Sequence, residues 1–325
     1  MARPIADRTT GKIAILGAAS PAGAHLKAAL ADRGIPGGRV SLFGLKREVA
    51  VLSEYDGEAR LVQAADELDA AACQAVFVCE VGHDGASLVS AAGSGTLVVD
   101  MTGSVPGAIL AGAPRASNEA RIVAVPHAVT TLLVSLLAPL EKALGLSRVS
   151  VHVLRPASDF GEAGLEELRE QTVHLLRFEP TPTAVFGRQL AFNVLPEYLF
   201  PLGEEASAAR VVRESRELLG APDLPFAFSQ SLVPLFFGHA IAAHIELTHL
   251  GRDEALATWR AAPDVAIADD PEVGATLDAP ESPGLLVARV DETAEATLRV
   301  WALGSEAGAT AAARAIAAGV AVGVL

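Results

Sequence analysis

At 325 residues the chain is long enough for two domains, each burying its own core, and with 51% hydrophobic but 5% aromatic residues those cores have to be built from Ala, Val and Leu. A net charge of −14 excludes a partner gripped through a phosphate backbone, because nucleic-acid binders carry basic patches. The two cysteines, Cys73 and Cys79, exclude a disulfide framework and suit a reduced, cytoplasmic setting.

The first eight residues hold no apolar signal core, so secretion is not expected. Residues 12–16 are a short apolar run ending at Gly17, the pattern of a strand buried in a parallel sheet. Gly17, Ala18, Ala19, Ser20, Pro21, Ala22 and Gly23 lead from it into an amphipathic helix through Asp32. In a dinucleotide fingerprint Gly17 makes the tight turn and Gly23 lets helix and strand pack closely, but a glycine is wanted where Ser20 stands. Gly17, Ala18, Ser20, Pro21, Ala22 and Gly23 are therefore the candidate cofactor loop, with a bare strand–helix turn as the other reading. Residues 39–44 make the second strand, which runs into Lys46 and Arg47 with no acid before Glu48. An acid there would hold the ribose 2′-OH of NAD, whereas two cations suit the extra phosphate of NADP or else mark a solvated basic turn.

Residues 75–79 and 96–100 are further apolar strands with a helix over 84–92 between them, which predicts a doubly wound, Rossmann-like parallel sheet. Cys79 ends one of those strands, where such sheets place ligands, although a buried inert thiol is the plainer reading. A strand over 121–124 then passes through Val125, Pro126 and His127 into an apolar helix from about Ala128 to Leu144. Pro126 costs nothing near a first helical turn, where its missing N–H has no partner to lose. Such a junction aims backbone N–H groups and the positive end of a helix at one point. A cysteine there would be held as a thiolate and would make a good nucleophile, but the residue is Ala128.

The second half alternates. Residues 147–154 suit a half-buried strand, a helix is expected from Leu165, and another over 204–219 ends at Gly220. Residues 285–290 and 297–303 complete an antiparallel or mixed sheet. His239, His244 and His249 recur every five residues, which fits neither one helix face nor one strand face, so no metal site is expected. The last twenty residues, 306–325, are Ala-rich but broken by Arg314, so they read as a buried helix returning to the first domain and not as a membrane span. The predicted domains are thus 1–125 with 306–325, and 126–305.

Several stretches, in this order, resemble the aspartate-semialdehyde dehydrogenase family. Val125-Pro126-His127-Ala128-Val129-Thr130 stands against the family's N-P-N-C-S-T, and residues 155–168 against Q-A-V-S-G-A-G-x-x-G-x-x-E-L. Gln189-Leu190-Ala191-Phe192-Asn193-Val194-Leu195-Pro196 is the most specific match, against Q-I-A-F-N-V-I-P. Gly220-Ala221-Pro222-Asp223 resembles G-D-P-D, and residues 231–239 resemble R-V-P-V-F-x-G-H. The resemblance implies a dinucleotide-binding domain and a dimerisation domain, NADP as cofactor, and a cysteine thiolate that attacks the semialdehyde while a histidine takes the proton. Hydride then passes to NADP, and phosphate releases the acyl group from the thioester.

On this resemblance the nucleophile falls at Ala128, the active-site glutamine at Arg155, the base at His239 and the substrate-carboxylate arginine at Leu232. The substrate-binding lysine falls near Arg210 and a nicotinamide-contacting asparagine at Ala311, while residues 102–106 lack the phosphate-binding arginine. His127, Arg155, Asp159 and Arg210 are candidate cleft residues beside His239. Two readings follow. One is a non-catalytic homologue that keeps a homodimeric fold and an affinity for NADP or a small anion. The other is an active NADP-dependent oxidoreductase without a covalent step, using His239 or His127 as acid and base. A homodimer through the second domain is expected in either case, to cover apolar strand residues between Phe226 and Leu250.

Overall fold

A computed structural model describes residues 11–44, 51–80, 82, 85–92, 95–113, 121–199, 207–249, 251–280, 284–304, 312, 315–317, 319 and 320. The chain divides into two compact units, Met1–His127 with Ala311–Leu325, and Ala128–Thr310.

The first unit contains β1 (Ile13–Leu16), α1 (Pro21–Asp32), β2 (Val40–Gly44), β3 (Leu52–Tyr55), β4 (Glu58–Leu61) and β5 (Gln63–Ala64). It continues with β6 (Ala75–Val78), α2 (Gly85–Ala92), β7 (Leu97–Asp100), β8 (Ile109–Leu110) and β9 (Ile122–Ala124). Seven of these strands form one sheet in the order β5-β2-β1-β6-β7-β9-β8, and every pairing in it is parallel. The uninterrupted apolar runs follow from burial on both faces. Ile13, Ile15, Phe77 and Val99 pack on one face with Leu26 and Leu30 of α1, in a cluster that also takes in Ala312, Ala315 and Ile316. Ala14, Leu16, Val76 and Val98 pack on the other with Leu88 and Ala92 of α2. The β3–β4 hairpin was not legible as strands, yet its turn signal was present: Asp56 and Gly57 both take positive φ, 53° and 76°, as a tight hairpin requires.

The second unit runs α3 (Ala128–Leu144), β10 (Leu146–Arg155), α4 (Gly161–Leu176), β11 (Leu195–Pro196), α5 (Ala208–Leu219), β12 (Phe226–Leu232) and β13 (His239–Leu247). It ends with α6 (Arg252–Arg260), β14 (Val265–Ile267), β15 (Leu285–Ala294) and β16 (Thr297–Gly304). Its sheet has the order β11-β12-β10-β13-β16-β15-β14 and is mixed, since β10–β12 and β14–β15 are parallel and the other pairs antiparallel. One face carries Val149, Val151, Val153, Ile241, Ile245, Val300 and Ala302, which pack with Leu133, Leu136, Leu140 and Val211 of the helices. The indole of Trp259 joins that core and donates its Nε1–H to the carbonyl of Leu136 at 2.8 Å, tying α6 to α3.

Two helix starts differ from the sequence reading. α4 begins at Gly161, four residues early, because its glycines serve geometry: a Cβ on Gly164 would sit 2.5 Å from the Ala157 carbonyl oxygen. α5 begins at Ala208, capped by Ser207, whose hydroxyl accepts from Arg210 N; residues 204–206 lie outside the described residues. The sheet face opposite the helices also differs from expectation. It exposes Ser150, Ala227, Ser229 and His244, while most apolar residues of β12 and β13 have cover within the unit, and the exposed Phe236 and Phe237 stand between those two strands.

Candidate functional site

The residues singled out in the second unit gather at one end of its sheet. Arg155 is the last residue of β10, Leu232 the last of β12 and His239 the first of β13. His239 pairs with Gly304, where a Cβ would meet the Leu132 side chain at 2.7 Å. Leu132 lies one turn beyond Ala128, so the first turns of α3 stand over the strand ends that carry His239. Gly238 makes the approach to His239 at φ 84°, and a Cβ there would press to 2.8 Å from the Thr276 carbonyl.

Arg155, Asp159 and His239 form one buried polar cluster. The Arg155 Nε donates to Asp159 Oδ2 at 2.5 Å and its Nη1 donates to Gln230 Oε1 at 3.2 Å. His239 Nε2 lies 3.1 Å from the same Asp159 oxygen, and the histidine is fully buried. Burial alone would push the Asp159 carboxyl up, but the Arg155 guanidinium and His239 outweigh it and hold the group well below the ordinary carboxylate range. Two atoms here have no hydrogen-bond partner among the described residues: His239 Nδ1 and the hydroxyl oxygen of Ser158.

Arg210 belongs to a second ion pair. Its Nε donates to Glu214 Oε1 at 2.6 Å, and Glu214 Oε2 accepts from the Thr130 hydroxyl at 3.0 Å, which ties α5 to the first turn of α3. Leu232 is a core residue, packed with Ala157, Leu168, Phe186, Leu190 and Leu195. The partly buried Ala128 packs against the main core of the unit. His239 and His244 point to opposite faces of β13, one buried and one exposed, as an odd spacing on a strand dictates. No group of side chains able to hold a metal occurs among the described residues.

Sequence reasoning missed the clamp on α4. The buried carboxylate of Glu167 accepts from the backbone N–H groups of Val185 and Phe186. The amide of Gln171 donates to the carbonyls of Pro182 and Arg188 and accepts from the N–H groups of Leu190 and Ala191. Together they fix the loop that leads into the Phe192-Asn193-Val194 segment. A separate cleft of about 410 Å³, lined by Arg252, Arg260, Asp269 and Arg289 among others, contains none of the candidate residues.

In the first unit the candidate cofactor loop is tightly built. Gly17 has φ 84°, and a Cβ on Gly23 would fall 2.3 Å from the Gly17 carbonyl oxygen. Ser20 caps α1: its Oγ accepts from Gly23 N at 3.1 Å and lies within donating distance of the carbonyls of Gly17 (2.7 Å) and Cys79 (3.0 Å). Pro21, next in line, has no N–H. Of the donors at this helix end, one is therefore taken and one is absent, and Ala22 follows between them. Cys79 is buried, and that burial with the nearby Asp100 and Glu80 pushes its thiol far above the ordinary range, so it is an inert thiol in this fold. His127 is half-buried at the end of this unit. Lys46, Arg47 and Ala311 lie outside the described residues. No helix among the described residues is long and apolar enough to cross a membrane.

Residues 137–306 match the family model described as semialdehyde dehydrogenase, dimerisation domain. Aspartate-semialdehyde dehydrogenase 2 of Vibrio cholerae is 28% identical over 246 residues, covering 72% of this chain and 73% of that protein. A USG-1 protein homolog of Azotobacter vinelandii is 29% identical over 254 residues, again 72% and 73% of the two chains. Among solved structures, aspartate semialdehyde dehydrogenase II of Vibrio cholerae complexed with ASA superposes with a TM-score of 0.83 at 23% identity, over 96% of this chain and 98% of that one. The Candida albicans enzyme with NADP gives 0.70 at 13% identity, over 97% and 100%. The chain belongs to the semialdehyde dehydrogenase family, alongside the aspartate-semialdehyde dehydrogenases.

Proposed function

We propose that this chain is a member of the family that has lost the thiol-dependent dehydrogenase reaction and keeps the family's homodimeric fold in the cytoplasm. The observation that carries this is Ala128 at the start of α3, because a methyl group forms no thioester. Two neighbours support it. Leu232, where the resemblance puts a carboxylate-binding arginine, is sealed into an apolar cluster. Arg210, where it puts a substrate-binding cation, is already neutralised by Glu214. The homodimer rests on the match of residues 137–306 to a dimerisation-domain model, not on uncovered apolar strands.

NADP is the cofactor the family reading brings, but the Ser20–Pro21 helix start does not fit a pyrophosphate in the usual way, since Ser20 takes the Gly23 N–H and Pro21 has none, leaving the Ala22 N–H. The alternative, an oxidoreductase without a covalent step, draws on one observation, the buried Nδ1 of His239 that has no partner among the described residues. The test assays wild type and Ala128→Cys for phosphate-dependent oxidation of aspartate semialdehyde, and wild type without phosphate. All three are expected at background, because losses at groups that act as a unit are not restored singly. Turnover by wild type at ordinary enzyme rates, roughly 1–10³ s⁻¹, would end this reading.

A further inference from the structure

The Arg155–Asp159–His239 cluster determines which nitrogen of the histidine carries its proton. Arg155 is permanently charged and donates to Asp159, so the carboxylate beside it stays ionised. An ionised carboxylate only accepts hydrogen bonds. The nitrogen of His239 that faces it, Nε2 at 3.1 Å, therefore has to carry a hydrogen. In the neutral ring that leaves Nδ1 with the lone pair, and Nδ1 is the atom with no partner among the described residues although the histidine is fully buried.

We infer that Asp159 is a positioning residue that fixes His239 in its Nε2–H form, with Arg155 holding Asp159 in place, so that the buried, unpartnered Nδ1 is a hydrogen-bond acceptor. Nδ1 is itself buried, so a molecule reaches it only by displacing a neighbouring group, and has then to bring an O–H or N–H donor. A neutral aldehyde carbonyl or a fully ionised carboxylate finds no complementary group there while the ring is neutral. Leaving a buried polar atom unmatched is unfavourable, so the ring selects donors such as alcohols, amides and ammonium groups. This does not depend on whether the dehydrogenase reaction is lost, because the tautomer is a property of the resting protein.

The experiment is ¹⁵N NMR of the histidine side chains at a pH where the ring is neutral, with the signals of residue 239 identified by their loss in His239→Gln. The expected pattern in wild type is pyrrole-like at Nε2 and pyridine-like at Nδ1. The reverse pattern in wild type overturns the inference without any variant. In Arg155→Met with Asp159→Ala, which removes both charges together, the fixed pattern is expected to give way to averaged shifts. Its persistence in a folded double variant would show that Asp159 does not set the tautomer.

Discussion

Two buried ion pairs in the second unit share one local design and differ in what they do. Arg155–Asp159 and Arg210–Glu214 are both arginine and acid four residues apart, both with side chains about 6% exposed. Glu214 passes its second oxygen to Thr130 and so ties two helices together. Asp159 passes its shared oxygen to His239, whose far nitrogen is buried with no partner among the described residues. An arginine in a family's binding region need not be a ligand contact: Arg210 is built into a helix–helix tie, while the pair at Arg155 ends on a buried histidine whose far nitrogen has no partner among the described residues.

The largest way to break the comparison is Asp159→Ala. It strands the Arg155 charge and frees His239 at once, so a loss of about 5 kcal/mol is expected in urea unfolding, the upper end for a broken buried pair. Glu214→Ala removes the acid from Arg210 and the acceptor from the Thr130 hydroxyl, and is expected to cost about 3–4 kcal/mol, with the same measurement. If Glu214→Ala proved the costlier of the two, the view of Asp159 as the hub of a larger network would be wrong. Thr130→Val keeps the Arg210 pair and removes one hydroxyl donor to a carboxylate, for about 1.5 kcal/mol.

Acid sharpens the contrast further. Asp159 has a folded pKa below its unfolded value of about 3.9, so its stabilisation is present above that pH and is lost as the pH falls through the folded value. Unfolding free energy measured downward from pH 5 should fall in wild type, and Asp159→Asn should lack this component of the fall. The smallest effect belongs to Ser20→Gly. Glycine is a tolerable cap, so a few tenths of a kcal/mol are lost, yet the Gly23 N–H is released. NADP should raise the thermal stability of this variant more than that of wild type.

Much of the fold was legible because burial writes itself into composition. The apolar runs at Ile13–Leu16 and Ala75–Val78 read as parallel strands since both of their faces are covered. The range Ala128–Leu144 was legible from its apolar helical pattern. Gly161 and Gly164 misled the reading because helix propensity counts glycine as a breaker, while here a positive φ of 66° requires it at Gly161 and close backbone approach at Gly164. At the site, the residue types at Ala128, Arg155 and Asp159 were visible, and their pairing was not. A spacing of four from Arg155 to Asp159 runs from a strand end into a turn, where no periodic rule predicts contact, and His239 lies 80 positions further on. The cap made by Ser20 was likewise hidden, since a serine in place of glycine says nothing of which N–H its hydroxyl takes.

The central claim is that no covalent acyl-enzyme forms, and a single-turnover experiment tests it most directly. Wild-type protein in excess is mixed with aspartate semialdehyde and NADP without phosphate. NADPH is followed by absorbance and the protein by intact mass. With Ala128 at the head of α3 and Cys79 buried with its thiol held protonated, no NADPH burst and no acyl adduct are expected. A stoichiometric burst of NADPH with one acyl group on the protein would contradict the account.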